Sequence, residues 1–386
     1  MPRIEHVMSV YLDNAATTQI DSEVIEAVCR VMKENYGNPS SVHGHGRKAR
    51  AEIEKARRTA AAHLKASPAE IFFTSGGTEA DNMAILCSIR DLGVKRIITS
   101  KIEHHAVLHT AECAEKDGVQ LVFVKLTPNG HVDLSNLEEL LASGPKTLVS
   151  LMHANNEIGN LLDLKKVSEM CRRNGAYFHT DTVQTMCHYK FNLQELDVDF
   201  LTASAHKFHG PKGIGFLYIN SKVQVKPMIH GGAQERNMRG GTENIYGIVG
   251  LAKAMDVAYG ELKQHQDHVQ GLKTYMISEL RNAVEGVKFN GDAEGDSLYT
   301  VLNVCFPHTP ISEMLLFNLD IMGISASGGS ACSSGSNVGS HVLAQLDRDQ
   351  QRPAIRFSFS KFNTKEDIDF TVSKIAELFA KHKIIS

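Results

Sequence analysis

A chain of 386 residues that is 42% hydrophobic and 22% charged has the apolar material for a large core and the length for two domains. Its 41 lysines and arginines nearly balance 44 acidic residues, which argues against nucleic acid or a membrane surface as principal partner and leaves a small molecule or another protein. No apolar run has the length of a membrane span, residues 1–10 lack the basic and apolar regions of a signal peptide, and seven cysteines without a Cys-x-x-Cys pair argue against a disulfide framework or a standard zinc site, so the expected compartment is the cytoplasm.

In chain order, Tyr11-Leu-Asp-Asn-Ala-Ala-Thr-Thr reads as a strand-like entry followed by polar turn residues, an arm rather than a domain. Gly37-Asn-Pro-Ser-Ser-Val-His-Gly-His-Gly collects turn formers and two histidines, a loop of the kind that lines sites, before a helical run from Arg47 to Leu64. On that helix Ile53, Ala56, Ala60 and Leu64 share a face. The bases Arg47, Lys48, Arg50, Lys55, Arg57 and Arg58 read as a solvated face rather than a nucleic-acid patch: Glu52 and Glu54 interrupt them, Glu54 and Arg58 are spaced for an i,i+4 pair, and no aromatics interleave.

Ile71-Phe-Phe-Thr-Ser-Gly-Gly-Thr-Glu-Ala has the form of a strand, a glycine turn and a helix. Such a turn lets backbone N–H groups approach an anion, with the Thr78 hydroxyl and the helix N-terminus adding to the cradle; a plain connection is the alternative, and the lysine of a nucleotide P-loop is missing. Strands at Arg96–Ser100, Gln120–Val124 and Thr147–His153 then alternate with helices from about His104 and from Ser135, capped with Glu138. A helix over 163–174 stops at Gly175, and a strand from Ala176 ends at Asp181. This rhythm predicts a mainly parallel sheet with helices on both faces, and such sheets collect their sites at the strand C-termini. The residues that fall there are Thr78, His104, Asn156, Asp181, Gln184, Ser204, His206 and Lys207. Lys207 follows the apolar run that begins Asp199-Phe-Leu-Thr-Ala and precedes a Gly/Pro turn. A lysine partly desolvated at a strand end loses its charge more readily than a surface one, which suits an amine that must condense with an aldehyde.

Beyond Gly250 the alternation gives way to a long helical run with Leu262, Val269, Leu272, Met276 and Leu280 at helical spacing, which places a domain boundary near residue 258. The expected organisation is an arm over 1–18 packing with the small domain, a large domain over 19–257 and a smaller α/β domain over 258–386. The latter includes Val301-Leu-Asn-Val-Cys-Phe and a closing helix from Thr364 with Ile368, Val372, Ile375 and Phe379 on one face. Within it, Ser325-Ala-Ser-Gly-Gly-Ser-Ala-Cys-Ser-Ser-Gly-Ser reads as a mobile loop that exposes Cys332, whereas Cys29, Cys87, Cys171 and Cys305 sit in apolar or helical contexts and are expected to be inert.

Taken together the motifs resemble pyridoxal-phosphate enzymes of the class V aminotransferase fold, fold type I, and among them the cysteine desulfurases. The resemblance runs from Tyr11 to beyond Arg356. Besides the arm, the Gly37 loop and the Gly76-Gly77 turn, it rests on Glu103-His-His-Ala-Val, Met152-His-Ala-Asn-Asn-Glu-Ile-Gly, His179-Thr-Asp-Thr-Val-Gln, Ser204-Ala-His-Lys, Arg239-Gly-Gly-Thr-Glu-Asn and the Gly-Ser-Ala-Cys of the Cys332 loop. It implies that Lys207 holds pyridoxal 5'-phosphate and later moves the α-proton, that Asp181 pairs with the ring nitrogen, and that His104 stacks on the ring and assists as acid or base. It also implies that Asn156 and Gln184 bond the ring oxygen, that Gly77, Thr78, Ser204 and His206 bind the phosphate, and that Arg356 clamps the carboxylate of L-cysteine, with Asn156 beside it; a buried structural ion pair is the other role open to Arg356. Cys332 would take the sulfur as a persulfide, leaving alanine. Thr242 would reach the phosphate of a partner subunit, making a homodimer with shared sites. No resident metal is expected, a helical His104, His105 and His109 set lacking a completing ligand; a transient iron–sulfur contact at Cys332 is the exception. Asn337-Val-Gly-Ser stands where many relatives serving iron–sulfur scaffolds have Leu-Glu-Pro-Ser, and about thirty residues follow Arg356, so the acceptor is left open among a scaffold, a tRNA-thiolation relay and another sulfur carrier. A lyase or aminotransferase of the same fold acting on selenocysteine, cysteine sulfinate or another amino acid would not need Cys332, and a non-catalytic sulfur-carrier docking protein would form no alanine.

Overall fold

The computed structural model describes residues 9–328 and 339–382. Seven strands form the main sheet, in the spatial order Ile71–Thr74, Gly215–Ile219, Phe200–Ser204, Tyr177–Asp181, Thr147–Ser150, Arg96–Thr99 and Gln120–Phe123. Their β-branched and aromatic residues are buried along nearly every strand, the pattern of a sheet covered on both faces. All neighbours run parallel except Gly215–Ile219, which is antiparallel to both of its own. That reversal follows from the connection: only the Ala205–Lys207 turn and a short Gly/Pro segment join Phe200–Ser204 to it, too little chain for a parallel crossover.

Two apolar clusters flank the sheet. One joins the helices Gly44–Leu64 and Ile245–Gly260 to one face, and the other joins Gly77–Leu92 and His105–Lys116 to the opposite face. A separate core lies in the C-terminal part, where Lys288–Phe289, Val301–Cys305 and Ala354–Ser358 form an antiparallel sheet covered by the helices Leu262–Ala283 and Lys365–Lys381. Val10 and Leu12 of the arm belong to this core, and Val10–Tyr11 pairs in parallel with Ile324–Ser325. The arm then continues toward the main sheet, where Thr18 N donates to the carbonyl of His206 at 2.9 Å.

Three local expectations are corrected. Arg57 is not on a solvated face: it is 2% exposed and forms a bidentate pair with Glu235, both bonds 2.8 Å, because a distant segment docks on that side of the helix. Glu54 accordingly pairs with Arg57 and Arg236 at 3.2 and 2.9 Å rather than with Arg58. The helix expected from Ser135 begins at Leu134, since Asp133 is the residue whose carboxylate accepts from the Ser135 and Asn136 N–H groups. Cys87, Cys171 and Cys305 are buried but Cys29 is exposed; Cys332 lies outside the described residues.

Candidate active site

The C-terminal ends of the parallel strands enclose a cavity of about 260 Å³. Of the residues singled out from the sequence, Gly77, Thr78, His104, Asn156, Asp181, Gln184, Ser204, His206, Lys207 and Arg356 all line it. Thr242 does not; it lies in a separate depression with Phe73, Glu235 and Arg239.

At one end, the Gly77–Leu92 helix starts at Gly76, whose φ of 155° suits glycine, and no side chain caps its N–H groups. A methyl group on Gly77 would come within 2.8 Å of a Val183 methyl, so glycine keeps this end of the cavity open. The Ser204 and His206 side chains complete a set of donors around a helix terminus, suited to a phosphate. His206 is held by Thr17 at 3.2 Å, and burial, reinforced by the Lys207 charge, pushes it down to about 4, so the imidazole is neutral at pH 7.

Asp181 closes the Tyr177–Asp181 strand. Oδ1 accepts from Val183 N at 2.8 Å. Burial, then the neighbouring Asp81 carboxylate, raises Asp181 to about 7, so a basic nitrogen brought against it would find a group ready to share a proton. Asp81 itself is 1% exposed and raised to about 7 by burial; its Oδ1 has no hydrogen-bond partner among the described residues, though His179 Nε2 lies 3.4 Å away. His179 is fixed by Ser150 at 2.8 Å and Thr202 at 3.1 Å. Glu103, bonded to Ser100 Oγ and Met152 N, is raised to about 8, again chiefly by burial.

Lys207 follows the last residue of the Phe200–Ser204 strand by three positions, and its Nζ donates to the carbonyls of Ala15 and Ala16 at 2.6 and 2.8 Å. Gln184 Nε2 donates to the same Ala15 carbonyl at 3.0 Å. His104 caps the His105–Lys116 helix: its Nδ1 accepts from Ala106 N at 3.1 Å, which places the hydrogen of the neutral ring on Nε2. Burial and then the Lys207 charge push it down to about 4. Arg356 donates to the Asn156 carbonyl at 3.0 Å and to Asp13 at 2.8 Å. It therefore forms the buried ion pair considered as one role and also lines the cavity as the other role requires.

Sequence reasoning missed Asp13, Asp81, Glu103 and the Ala15 and Ala16 carbonyls. Asp13, Ala15, Ala16 and Glu103 belong to motifs already singled out and Asp81 directly follows one, so the signal was present. Which motif residue turns inward is decided by packing between segments distant in sequence.

The donor set fits a phosphorylated pyridine aldehyde: an uncapped helix terminus, a buried carboxylate and an amine line one cavity. A family model for aminotransferase class-V matches residues 10–370. A cysteine desulfurase IscS of Dictyoglomus turgidum is 42% identical over 98% of this chain and 96% of its own length, and a putative cysteine desulfurase IscS 1 of Bacillus subtilis is 41% identical over 96% and 98%. Among solved structures, a NifS-like protein superposes with a TM-score of 0.89 at 38% identity, over 97% of this chain and all of the other. A NifS-like protein from Rickettsia africae gives 0.86 at 31%, over 96% and 99%. With its cavity and its near full-length kinship in agreement, the chain belongs to the class-V aminotransferase family, a group of pyridoxal-phosphate enzymes, and within it to the cysteine desulfurases.

Proposed function

We propose that the chain binds pyridoxal 5'-phosphate in this cavity and converts L-cysteine to L-alanine, passing the sulfur to Cys332 as a persulfide and from there to an acceptor protein. The observation that carries the proposal is the convergence of Lys207, Asp181, the Gly77–Thr78 helix terminus and Arg356 on one cavity. Bound there, the cofactor supplies an electron sink that labilises bonds at the α-carbon of an amino acid.

Gly77, Thr78, Ser204 and His206, which line the cavity, would hold the phosphate, and Asp181 would hold a proton at the ring nitrogen. Lys207 would hold the cofactor through its Nζ and would move the proton at the substrate's α-carbon. Arg356 binds the substrate carboxylate, with Asn156 beside it. His104, its Nδ1 taken by Ala106 N and its hydrogen on Nε2, would serve as a neutral hydrogen-bond donor to the reacting groups. The Cys332 thiolate attacks the substrate sulfur. As that S–S bond forms, the C–S bond breaks with its electron pair left on carbon, and protonation of that carbon gives alanine. A homodimer, in which Thr242 reaches the phosphate of the other subunit's site, is part of the proposal; the position of Thr242 outside its own chain's cavity supports it.

The test is the visible spectrum of purified protein, with alanine and sulfide measured after L-cysteine is added. The proposal expects a yellow cofactor band and equimolar alanine, both lost in Lys207→Ala. A colourless protein would overturn the cofactor assignment, and a coloured one that releases no alanine would overturn the reaction.

A further inference from the structure

We infer that Asp13 is a positioning residue for the substrate carboxylate and acts through Arg356; the inference rests on the reading of Arg356 as the carboxylate clamp. The Arg356 side chain is 1% exposed, so a guanidinium at this depth needs a compensating anion and a fixed orientation. Both come from outside its own strand. Nη2 donates to Asp13 Oδ1 at 2.8 Å, and Nη1 donates to the Asn156 carbonyl at 3.0 Å. Bonds on two different nitrogens fix the plane of the guanidinium, and two of its five N–H groups are used in doing so.

Asp13 is itself held. The same Oδ1 accepts from Ser327 Oγ at 2.8 Å, and Ser327 is tied to Arg356 by paired backbone bonds of 2.7 and 3.2 Å. Asp13, Ser327 and Arg356 thus form a closed unit drawn from the arm and the small domain. Its placement decides between two roles for the carboxylate. Arg356, Ala15, Ala16 and Asn156 line the cavity, whereas Asp13 does not. Asp13 therefore grips the guanidinium from behind and leaves the cavity side to a ligand, instead of occupying the ligand's place.

The holoenzyme and its Asp13→Asn, Ser327→Ala and Arg356→Gln variants are titrated calorimetrically with L-alanine and with ethylamine, which is L-alanine without the carboxylate. Asp13→Asn is expected to weaken L-alanine binding on the order of tenfold, the size of one lost charge-assisted hydrogen bond, and to leave ethylamine binding unchanged. Ser327→Ala, which removes a support of Asp13, is expected to give a smaller loss with the same selectivity, and it tests the inference even if Asp13→Asn does not fold. Equal weakening of both ligands would show a general structural role, and tighter L-alanine binding would show that Asp13 competes with the ligand; either overturns the inference. If Arg356→Gln keeps the preference for L-alanine over ethylamine, the clamp reading itself fails. If Arg356→Gln loses that preference while Asp13→Asn keeps it, the clamp stands and the role of Asp13 alone is refuted.

Discussion

Replacing Glu235 by glutamine tests how the segment that leads to Thr242 is held. Glu235, Arg236 and Asn237 have φ values of 44°, 56° and 65°, a left-handed conformation that asparagine tolerates but that costs roughly 1–2 kcal/mol at each of Glu235 and Arg236. The anchors that offset this strain are named contacts. Glu235 takes two 2.8 Å bonds from buried Arg57 and one of 2.9 Å from Phe73 N, and Arg236 bonds the Pro68 carbonyl at 2.8 Å and Glu54 at 2.9 Å. Glu235→Gln keeps the shape but removes the charge opposite a guanidinium that is 2% exposed. Breaking such a buried pair costs about 3–5 kcal/mol. Glu54, still 3.2 Å from Arg57, retains part of the compensation, so about 3 kcal/mol is expected. The assay is urea unfolding at fixed protein concentration, with Arg57→Met/Glu235→Leu as the partner measurement; removing both charges should recover most of the loss. A cost below about 1 kcal/mol, or a double variant as unstable as the single one, would refute the view that this pair anchors the segment.

Gly77→Ala, whose new methyl would meet Val183 at 2.8 Å in the phosphate-type end, should weaken cofactor retention on the order of tenfold, measured by dialysis; unchanged retention would contradict the cradle. Burial holds His153, His179 and His188 at about 4, below the ordinary histidine range. They are neutral in the folded protein while the unfolded chain protonates, so their contribution is present above about pH 6.5 and is lost as pH falls to about 4. Urea midpoints across pH 4.5–7 should therefore fall steeply toward acid, and flat midpoints would contradict this burial effect. Glu103, raised to about 8 by burial, acts in the opposite sense: its contribution is present below about pH 4 and is lost as pH rises through about 8. Glu103→Gln should therefore be more stable relative to wild type at pH 8 than at pH 5, and a difference that does not change with pH would show that the carboxyl is not held neutral.

What was legible in the sequence follows from local rules. Glycine turns, strand ends and helix starts carry their own signatures, which is why Gly77, Thr78, Asp181 and Lys207 could be placed on one edge before any coordinates, and one cavity contains them. What was not legible depends on partners distant in the chain. Helical periodicity places Arg57 on the stripe of Ile53, Ala60 and Leu64, a signal that its basic character outweighed, but it does not show that Glu235, 178 residues later, is its partner. Likewise Arg356 invites both a clamp and an ion-pair reading until Asp13 is found 343 residues away in sequence. The direction of Gly215–Ile219 required the length of its connection to be weighed against its apolar pattern, which alone suits either orientation. Asp81 sits on the helix that follows the glycine turn, one residue past the motif read for its glycines, and its inward turn toward Asp181 depends on how that helix lies on the sheet.

The most direct test of the central claim is mass spectrometry of the peptide containing Cys332 after the cofactor-loaded protein has met one equivalent of L-cysteine without reductant. The account predicts a mass gain of one sulfur atom on Cys332, reversed by reductant and matched by alanine released, with neither persulfide nor stoichiometric alanine in Cys332→Ser. Alanine formed at the wild-type rate in Cys332→Ser, with no sulfur on the wild-type peptide, would contradict it.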